Sequence, residues 1–259
     1  MSRANAKNGL PSSRCSRADH PGERDIPQRR WRAMTENADN VPMDRILEPE
    51  IMDGQAEADA YARADFSDSN QWYADHFTAD YPDHLRQIVD LGCGPADVTI
   101  RVARLAHHAR IVAVDGSAAM LSFARDAVNS AHLSQRITLH EGRLPGLPLP
   151  QHHFDAVLSK DMLHHLPDPQ VLWGEVRRLG RPGGAVYVMD LIRPDSPLAA
   201  REIVERVAAH EHPILKEDFY NSLCAAFTVE EVRGQLKAAG LHLTVEHATA
   251  RHMRIKGLI

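Results

Sequence analysis

Short apolar runs alternate with longer amphipathic stretches through the middle of the chain. The first two runs, residues 88–91 and 110–115, are each followed by apolar residues at helical spacing. Strands that alternate with helices in this way are typical of a parallel α/β sheet with helices on both faces. The pattern predicts five such strands, at residues 88–91, 110–115, 137–140, 154–158 and 185–189.

The first predicted strand runs directly into a glycine turn, Gly92-Cys93-Gly94. Because glycine has no Cβ, a ligand can approach the backbone closely at such a turn. Asp115 ends the second strand 21 residues after Gly94, the spacing at which an acidic side chain binds the ribose hydroxyls of a nucleotide. An ordinary strand-to-helix turn also favours glycine, so the turn alone leaves a structural interpretation open.

The chain before this strand divides into a polar segment and an aromatic one. Residues 1–42 show no sustained apolar period, and residues 1–33 carry eight Lys or Arg against three acids, so we expect a disordered basic tail. The alternatives are a basic arm for anionic surfaces and an upstream start codon, with Met34 or Met43 as the natural first residue.

Residues 43–84 combine an irregular helical period with four aromatic residues close together. We predict an N-terminal helical lid here, over a ligand-binding domain at residues 85–259. An aromatic cluster that packs in the core is the other interpretation. The four residues are Trp72, Tyr73, Phe77 and Tyr81.

Composition narrows the range of functions. The chain has 259 residues, is 43% hydrophobic and 25% charged, and is long enough for one large soluble domain. Its net charge of −5 argues against nucleic acid as the main partner. Three widely spaced cysteines indicate neither a disulfide framework nor a zinc cluster, which fits a cytoplasmic location. No run approaches the roughly 18 apolar residues of a membrane span.

Five stretches, taken together, resemble the class I S-adenosylmethionine-dependent methyltransferases. The small-molecule group similar to the ubiquinone and menaquinone methyltransferases is the nearest type. The stretches are Asp90-Leu-Gly-Cys-Gly94, Asp115-Gly-Ser-Ala-Ala-Met120, Phe154-Asp-Ala-Val, Leu163-His-His-Leu-Pro-Asp-Pro169 and Arg181-Pro-Gly-Gly184.

The resemblance implies a Rossmann-like, doubly wound sheet of seven strands, mostly parallel with an antiparallel edge strand. It implies S-adenosyl-L-methionine as cofactor and S-adenosyl-L-homocysteine as product. The turn would hold the amino-acid part of the cofactor, Asp90 would orient its amino group, and Asp115 would bind the ribose. The residues expected to bind the cofactor are Asp90, Gly92, Cys93, Gly94, Asp115, Gly116, Met120, Arg143, Leu144 and Ser159.

Two positions depart from the family pattern. Pro95-Ala96-Asp97 stands where a third glycine or its acidic neighbour is usual. Arg143 stands where an acid often accepts a hydrogen bond from the adenine amino group, which an arginine cannot do. We therefore expect the backbone around Arg143 and Leu144 to contact the adenine.

The acceptor site is expected in the C-terminal third, where an insertion at residues 198–226 precedes a capped helix and the last two strands. In this family these strands form an antiparallel pair at the sheet edge. His210 and His212 lack a clear third ligand, so we predict no metal. Candidates for acceptor contact or proton handling are Tyr61, Lys160, His164, His210 and Tyr220.

The expected function is methyl transfer to a small polar or aromatic metabolite, by a monomer or homodimer with no membrane or nucleic-acid partner. RNA or protein methylation and a non-catalytic cofactor-binding module are alternatives. A nicotinamide-dependent oxidoreductase is the remaining one, but the chain lacks the third glycine of its G-x-G-x-x-G fingerprint.

Overall fold

The computed structural model describes residues 43–48 and 66–259, which include a sheet of seven strands. The strands lie in the order β3-β2-β1-β4-β5-β7-β6. Their bounds are β1 Gln87–Leu91, β2 Arg110–Asp115, β3 Ile137–Glu141, β4 Phe154–Lys160, β5 Gly180–Leu191, β6 Thr244–His247 and β7 His252–Leu258. All five strands predicted from the apolar runs are present.

The direction of the strands follows the predicted arrangement. Strands β1 to β5 pair in parallel, whereas β7 is antiparallel to both of its neighbours, β5 and β6. The seven-stranded sheet, with an antiparallel pair at one edge, is therefore confirmed. The strand order reverses between β1 and β4, and ligands of doubly wound sheets bind at the carboxyl ends of such strands.

Helices cover both faces of the sheet, and side-chain caps define where several of them begin. Ser117 accepts a hydrogen bond from Met120 N, and Thr228 and Glu231 form the predicted capping box. In the described part of the chain, no helix is long and apolar enough to cross a bilayer. The helices are α1 Ser67–Asp80, α2 Asp97–Leu105, α3 Ala118–Ser130, α4 Gln170–Leu179, α5 Pro197–Val207, α6 Pro213–Ala225 and α7 Val229–Ala239.

Strand β5 begins earlier than the sequence indicates. The stretch Arg181-Pro-Gly-Gly184, whose proline and glycines favour a turn, lies within β5, where the register with β4 shifts between Phe154 and Ala156. Gly180 pairs with Phe154 before this irregularity, and Ala185 pairs with Ala156 after it. The Gly/Pro turn is thus an irregular part of β5, since backbone pairing continues on both sides of it.

Helix α1 contributes its aromatic side chains to the core. Tyr73 and Phe77 are fully buried and contact the ring of Tyr187 on β5, at centroid distances of 5.0 and 5.6 Å. The Tyr73 hydroxyl donates to Tyr187 O over 2.6 Å. This part of the predicted lid therefore packs as core. Residues 49–65 and the predicted tail at 1–42 lie outside the described residues.

The predicted insertion at residues 198–226 forms a helical pair, α5 and α6. Apolar side chains of both helices pack together with Leu191 at the end of β5. The members include Ala200, Val204 and Leu223. The insertion therefore extends the core at the carboxyl edge of the sheet.

Removal of the Tyr73 hydroxyl tests the anchoring of α1. In the Tyr73→Phe variant, we expect the free energy of unfolding to fall by about 1 kcal/mol, because a buried hydrogen bond is lost. Urea unfolding monitored by far-UV circular dichroism measures this change. Thr228→Ala, which removes a helix cap, provides a reference loss of about 1 kcal/mol. A Tyr73→Phe midpoint equal to that of the wild type would contradict the anchoring role.

Candidate active site

The turn after β1 has the conformation that its glycines permit. Gly92 and Gly94 have φ values of +76° and +53°, and the backbone N–H groups of Gly92 and Cys93 both donate to Val114 O over 2.9 Å. A Cβ on Gly92 would lie 2.4 Å from Met162 Cγ, so this position has no room for a side chain. A Cβ on Gly94 would have no atom within 4 Å, which leaves space for a ligand there.

Asp115 joins this turn to the end of β2. Its Oδ2 accepts from Gly94 N over 2.8 Å, and its Oδ1 accepts from Ser117 N over 2.9 Å. Burial raises the pKa of Asp115, although the backbone N–H groups of Ser117 and Gly94 oppose that rise. The carboxylate therefore lies beside the open space at Gly94, in the place predicted for ribose binding.

Asp90 and Ser159 lie deeper than the turn. Thr99 Oγ1 donates to Asp90 Oδ2 over 2.5 Å, which ties α2 to β1, and burial raises the pKa of Asp90 to about 6. Ser159 is fully buried, and its hydroxyl donates to Leu91 O over 2.8 Å. Both side chains hold the strand ends that frame the turn. Their direct contact with the cofactor stays a prediction.

The remaining predicted cofactor residues surround Asp115. Arg143 lies against Gly116, where a Cβ would come within 3.2 Å of Arg143 Cγ. Met120 is buried in the first turn of α3, and Leu144 packs at the edge of the core on the α4 side. Cys93 is also buried, which raises the pKa of its thiol well above the usual value. The thiol is thus held protonated and unreactive.

A buried group of charged side chains lies at the carboxyl end of β4. Lys160 forms an ion pair with Asp161, and His252 Nε2 lies 3.9 Å from Asp161 Oδ1. Burial acts to raise the pKa of Asp161, but Lys160 and His252 lower it to about 2. Asp161 has a φ of +53°, a strained conformation of the kind found at functional sites.

His164 is fixed by an acid on the neighbouring strand. Its Nδ1 lies 2.7 Å from Asp190 Oδ1, while Asp190 Oδ2 accepts from Leu163 N over 2.8 Å. Burial acts to lower the pKa of His164, but Asp190 raises it above the usual value. Because Nδ1 faces Asp190, Nε2 is the ring nitrogen left for other contacts.

The short segment at residues 43–48 attaches to the same place. Arg45 Nη2 donates to His164 O over 2.8 Å and to Leu166 O over 2.9 Å, and Arg45 Nε donates to Ala225 O over 2.6 Å. These bonds hold the segment against the turn at Leu163–His165 and against the end of α6. Glu48 is thereby placed near His165, with Oε2 3.7 Å from Nδ1.

The other acceptor candidates are more scattered. His210 is exposed after α5, and His212 caps α6 by accepting from Ile214 N over 3.3 Å. Tyr220 is half-buried on α6, where burial raises its pKa. Tyr61 lies outside the described residues. Of the four candidates that the structure describes, Lys160 and His164 are thus the two that lie beside Asp161 and Asp190, at the ends of β4 and β5.

Four residues of this region were not found from the sequence. Asp190 and His252 lie at strand ends, a position that could have drawn attention to them. Arg45 and Glu48 come from a stretch without a motif, and the contacts of Arg45 with His164 and Leu166 span 119 and 121 residues.

Comparisons with known proteins find methyltransferases that match the part of the chain that carries this site. A family model described as a methyltransferase domain matches residues 89–188, from β1 into β5. A 27-O-demethylrifamycin SV methyltransferase of Amycolatopsis mediterranei is 26% identical over 155 residues, covering 60% of this chain and 53% of that protein. A demethylmenaquinone methyltransferase of Lactiplantibacillus plantarum is 32% identical over 112 residues, covering 43% and 47%. The chain thus matches about half the length of each relative.

Solved structures share the fold over more of the chain. A SAM-dependent methyltransferase from Aquifex aeolicus superposes with a TM-score of 0.62 at 15% identity, covering 80% of this chain and 98% of that one. At this identity the likeness concerns the fold alone. This superposition covers more of the chain than residues 89–188, which the family model matches.

The buried histidine on β7 predicts a dependence of stability on pH. Burial lowers the pKa of His252 from 6.5 to about 4, so the unfolded chain binds its proton at a higher pH than the folded protein does. The stability that depends on a neutral His252 is complete above pH 6.5 and is lost as the pH falls towards 4. We expect a loss of about 3 kcal/mol from this residue over that range.

Urea unfolding at a series of pH values measures this loss. His252→Asn does not titrate and should show a flatter pH profile between pH 6.5 and 4. His107→Asn, at an exposed position, should keep the wild-type profile. Equal slopes for His252→Asn and the wild type would refute the assignment.

The domain match, the sheet and the site lead to one assignment. Open space at Gly94 and the carboxylate of Asp115 fit the amino-acid and ribose parts of S-adenosylmethionine, the predicted cofactor, and both residues lie within the part of the chain that matches a methyltransferase domain. Residues 89–188 match a methyltransferase domain, and the sheet that contains them has the fold of solved methyltransferase structures.

Proposed function

We propose that this protein is an S-adenosylmethionine-dependent methyltransferase that acts on a small polar or aromatic metabolite. The observation that carries the proposal is the Asp115 carboxylate, hydrogen-bonded to Gly94 N beside an open turn within the methyltransferase domain. The relatives match this chain over about half of their own length, so the activity of the whole protein is part of the proposal.

Positioning accounts for much of the chemistry. When bound, S-adenosylmethionine supplies a methyl group that is already electrophilic, because its sulfur carries a positive charge. Gly94 and Asp115 would hold the donor, while Met162 lies against Gly92 and connects the turn to the end of β4. In-line SN2 transfer requires the nucleophile, methyl carbon and sulfur to be collinear, so rigid strand ends favour it.

A base is needed only if the acceptor must lose a proton. His164 is the best-supported candidate, because Asp190 fixes its ring and favours the protonated form. Its Nε2 could accept a hydrogen bond from an acceptor hydroxyl when the ring is neutral. Lys160, paired with Asp161, is the second candidate. Tyr61, His210 and Tyr220 stay predictions from the sequence.

The names of the relatives support a small-molecule acceptor, and one of them names a compound with a quinone ring. One is named for demethylrifamycin SV and the other for demethylmenaquinone. Buried polar groups at the ends of β4 and β5 could bind the oxygens of such a ring. The net charge of −5 argues against an RNA acceptor.

A cytoplasmic location is also part of the proposal. Cys93 and Cys224 are free and buried, which is compatible with a reducing compartment. A monomer or homodimer, with a small molecule as partner, is the proposed form.

Enzyme assays test the activity directly. Incubation of the purified chain with S-adenosylmethionine and a panel of phenols, hydroquinones and amines should release S-adenosylhomocysteine in an acceptor-dependent way. Mass spectrometry should find the acceptor 14 Da heavier, as one methyl group replaces one hydrogen. Absence of turnover over a broad panel, despite tight donor binding, would favour the non-catalytic module.

Donor binding is tested separately at Asp115. Asp115→Ala should weaken S-adenosylmethionine binding roughly tenfold to a hundredfold, because hydrogen bonds to a charged group are lost. Isothermal titration calorimetry measures the affinity. Asp126→Ala, an exposed position on α3, is the matched control and should bind like the wild type. Unchanged affinity in Asp115→Ala would overturn the assigned cofactor site.

A further inference from the structure

Three side chains from two distant parts of the sequence meet beside the end of β4. Glu48, His164 and His165 each offer one ligand atom, and these atoms all lie within 4.8 Å of one another. Glu48 comes from the segment at residues 43–48, whereas the histidines form the turn after β4. A carboxylate and two imidazoles are a donor set that binds first-row divalent metal ions.

Two of these atoms are buried without a hydrogen bond. Glu48 Oε2 and His165 Nδ1 have no hydrogen-bond partner among the described residues. The Glu48 side chain is only 8% exposed. Burial of a carboxylate oxygen without a partner is costly, so a cation or a proton is expected between these two atoms. Ser222 Oγ donates to the other oxygen, Oε1, over 3.3 Å and leaves Oε2 available.

The spacing suits a metal ion better than a direct hydrogen bond. Glu48 Oε2 and His165 Nδ1 are 3.7 Å apart, beyond the usual hydrogen-bond distance. Two ligands of a tetrahedral ion, each bound at roughly 2.0–2.2 Å, lie roughly 3.4 Å apart. A small inward movement would bring these two groups to coordinating distance, and the ligand atom of His164 lies within 4.8 Å of both.

The surroundings orient the third ligand. Asp190 Oδ1 binds His164 Nδ1 over 2.7 Å, which leaves Nε2 as the coordinating atom. Metal-binding histidines usually donate their other ring N–H to a carboxylate in this way, and that bond fixes the ring. Arg45 further holds the backbone of His164 and lies three residues before Glu48, so both sides of the cluster are anchored.

We propose that Glu48 Oε2, His164 Nε2 and His165 Nδ1 bind one divalent metal ion, for which Zn²⁺ is the probe. Three protein ligands leave at least one position open. In the context of the proposed function, on which this further step rests, an oxygen of the acceptor would occupy that position. With Nε2 bound to the ion, His164 would not act as the base, and the metal would instead lower the pKa of the acceptor hydroxyl. Metal binding itself does not depend on the methyl transfer. No metal site was predicted from the sequence. The sequence alone does not bring these three residues together, because Glu48 is far from the two histidines in the chain.

Metal content and Zn²⁺ affinity test the site. The full chain, without a histidine tag and stripped with a chelator, should bind one equivalent of Zn²⁺ in calorimetry and retain it through gel filtration. Glu48→Gln and His165→Asn should each weaken binding at least tenfold, on the order of the effect of losing a ligand or its support. Co²⁺ in place of Zn²⁺ should give visible absorption bands that both variants lose.

The chain offers a matched control in a second adjacent histidine pair. His107 and His108 are exposed, and the double variant His107→Ala/His108→Ala should bind Zn²⁺ like the wild type. Far-UV circular dichroism, measured on every variant, shows whether the domain is folded. If His165→Asn fails that check, Glu48→Gln alone decides.

Two results would overturn the site. One is a wild-type chain that takes up no Zn²⁺, as expected if His165 simply donates a proton to Glu48. The other is binding that the His107/His108 variant loses and Glu48→Gln retains. A chain that binds Zn²⁺ at Glu48 but not S-adenosylmethionine would contradict the proposed function and leave the metal site supported.

Discussion

The hydrogen bond between Gly94 N and Asp115 Oδ2 joins the two parts of the donor site. Asp115 is largely enclosed, and an enclosed carboxylate is stable only when its oxygens are hydrogen-bonded. The backbone N–H groups of Gly94 and Ser117 meet this requirement. Because the same bonds fix the turn after β1 to the end of β2, the open space and the acid keep one relative position. Thr99 and Asp90 extend this connection to α2.

The ends of β4 and β5 differ from the donor site in the kind of groups that they carry. The donor side depends on glycine backbone and one carboxylate, whereas the ends of β4 and β5 hold charged side chains in pairs, Lys160 with Asp161 and His164 with Asp190. Pairing lowers the cost of burying each charge, and it also fixes the orientation of each group. Two chemically distinct surfaces therefore meet where the strand order reverses.

Local patterns explain what the sequence could predict. The spacing between Gly94 and Asp115 is a known pattern, and Thr228 and Glu231 form a capping box. Strand β2 contains a run of apolar residues. Each of these features can be found within a short stretch of sequence. The contacts of Arg45 could not be predicted from the sequence, because its partners lie 119 to 180 residues away. These partners are backbone carbonyls, which no side-chain motif reveals. The Asp190 contact with His164 likewise depends on the pairing of β4 with β5. The aromatic residues of α1 left core and lid open, and only their packing against Tyr187 places Tyr73 and Phe77 in the core.

The position of β7 constrains the order in which the sheet can assemble. Strand β7 is the last in the sequence, yet it lies between β5 and β6. Strand β6 pairs only with β7 within the described sheet, so it has no backbone partner until residues 252–258 are in place. The five parallel strands can form their ladders earlier, since none of their pairings involves β6. A hairpin-like unit of β6 and β7 can therefore dock onto β5 after the parallel ladders have formed. Release of β6 from the native sheet requires the loss of one ladder only, that with β7.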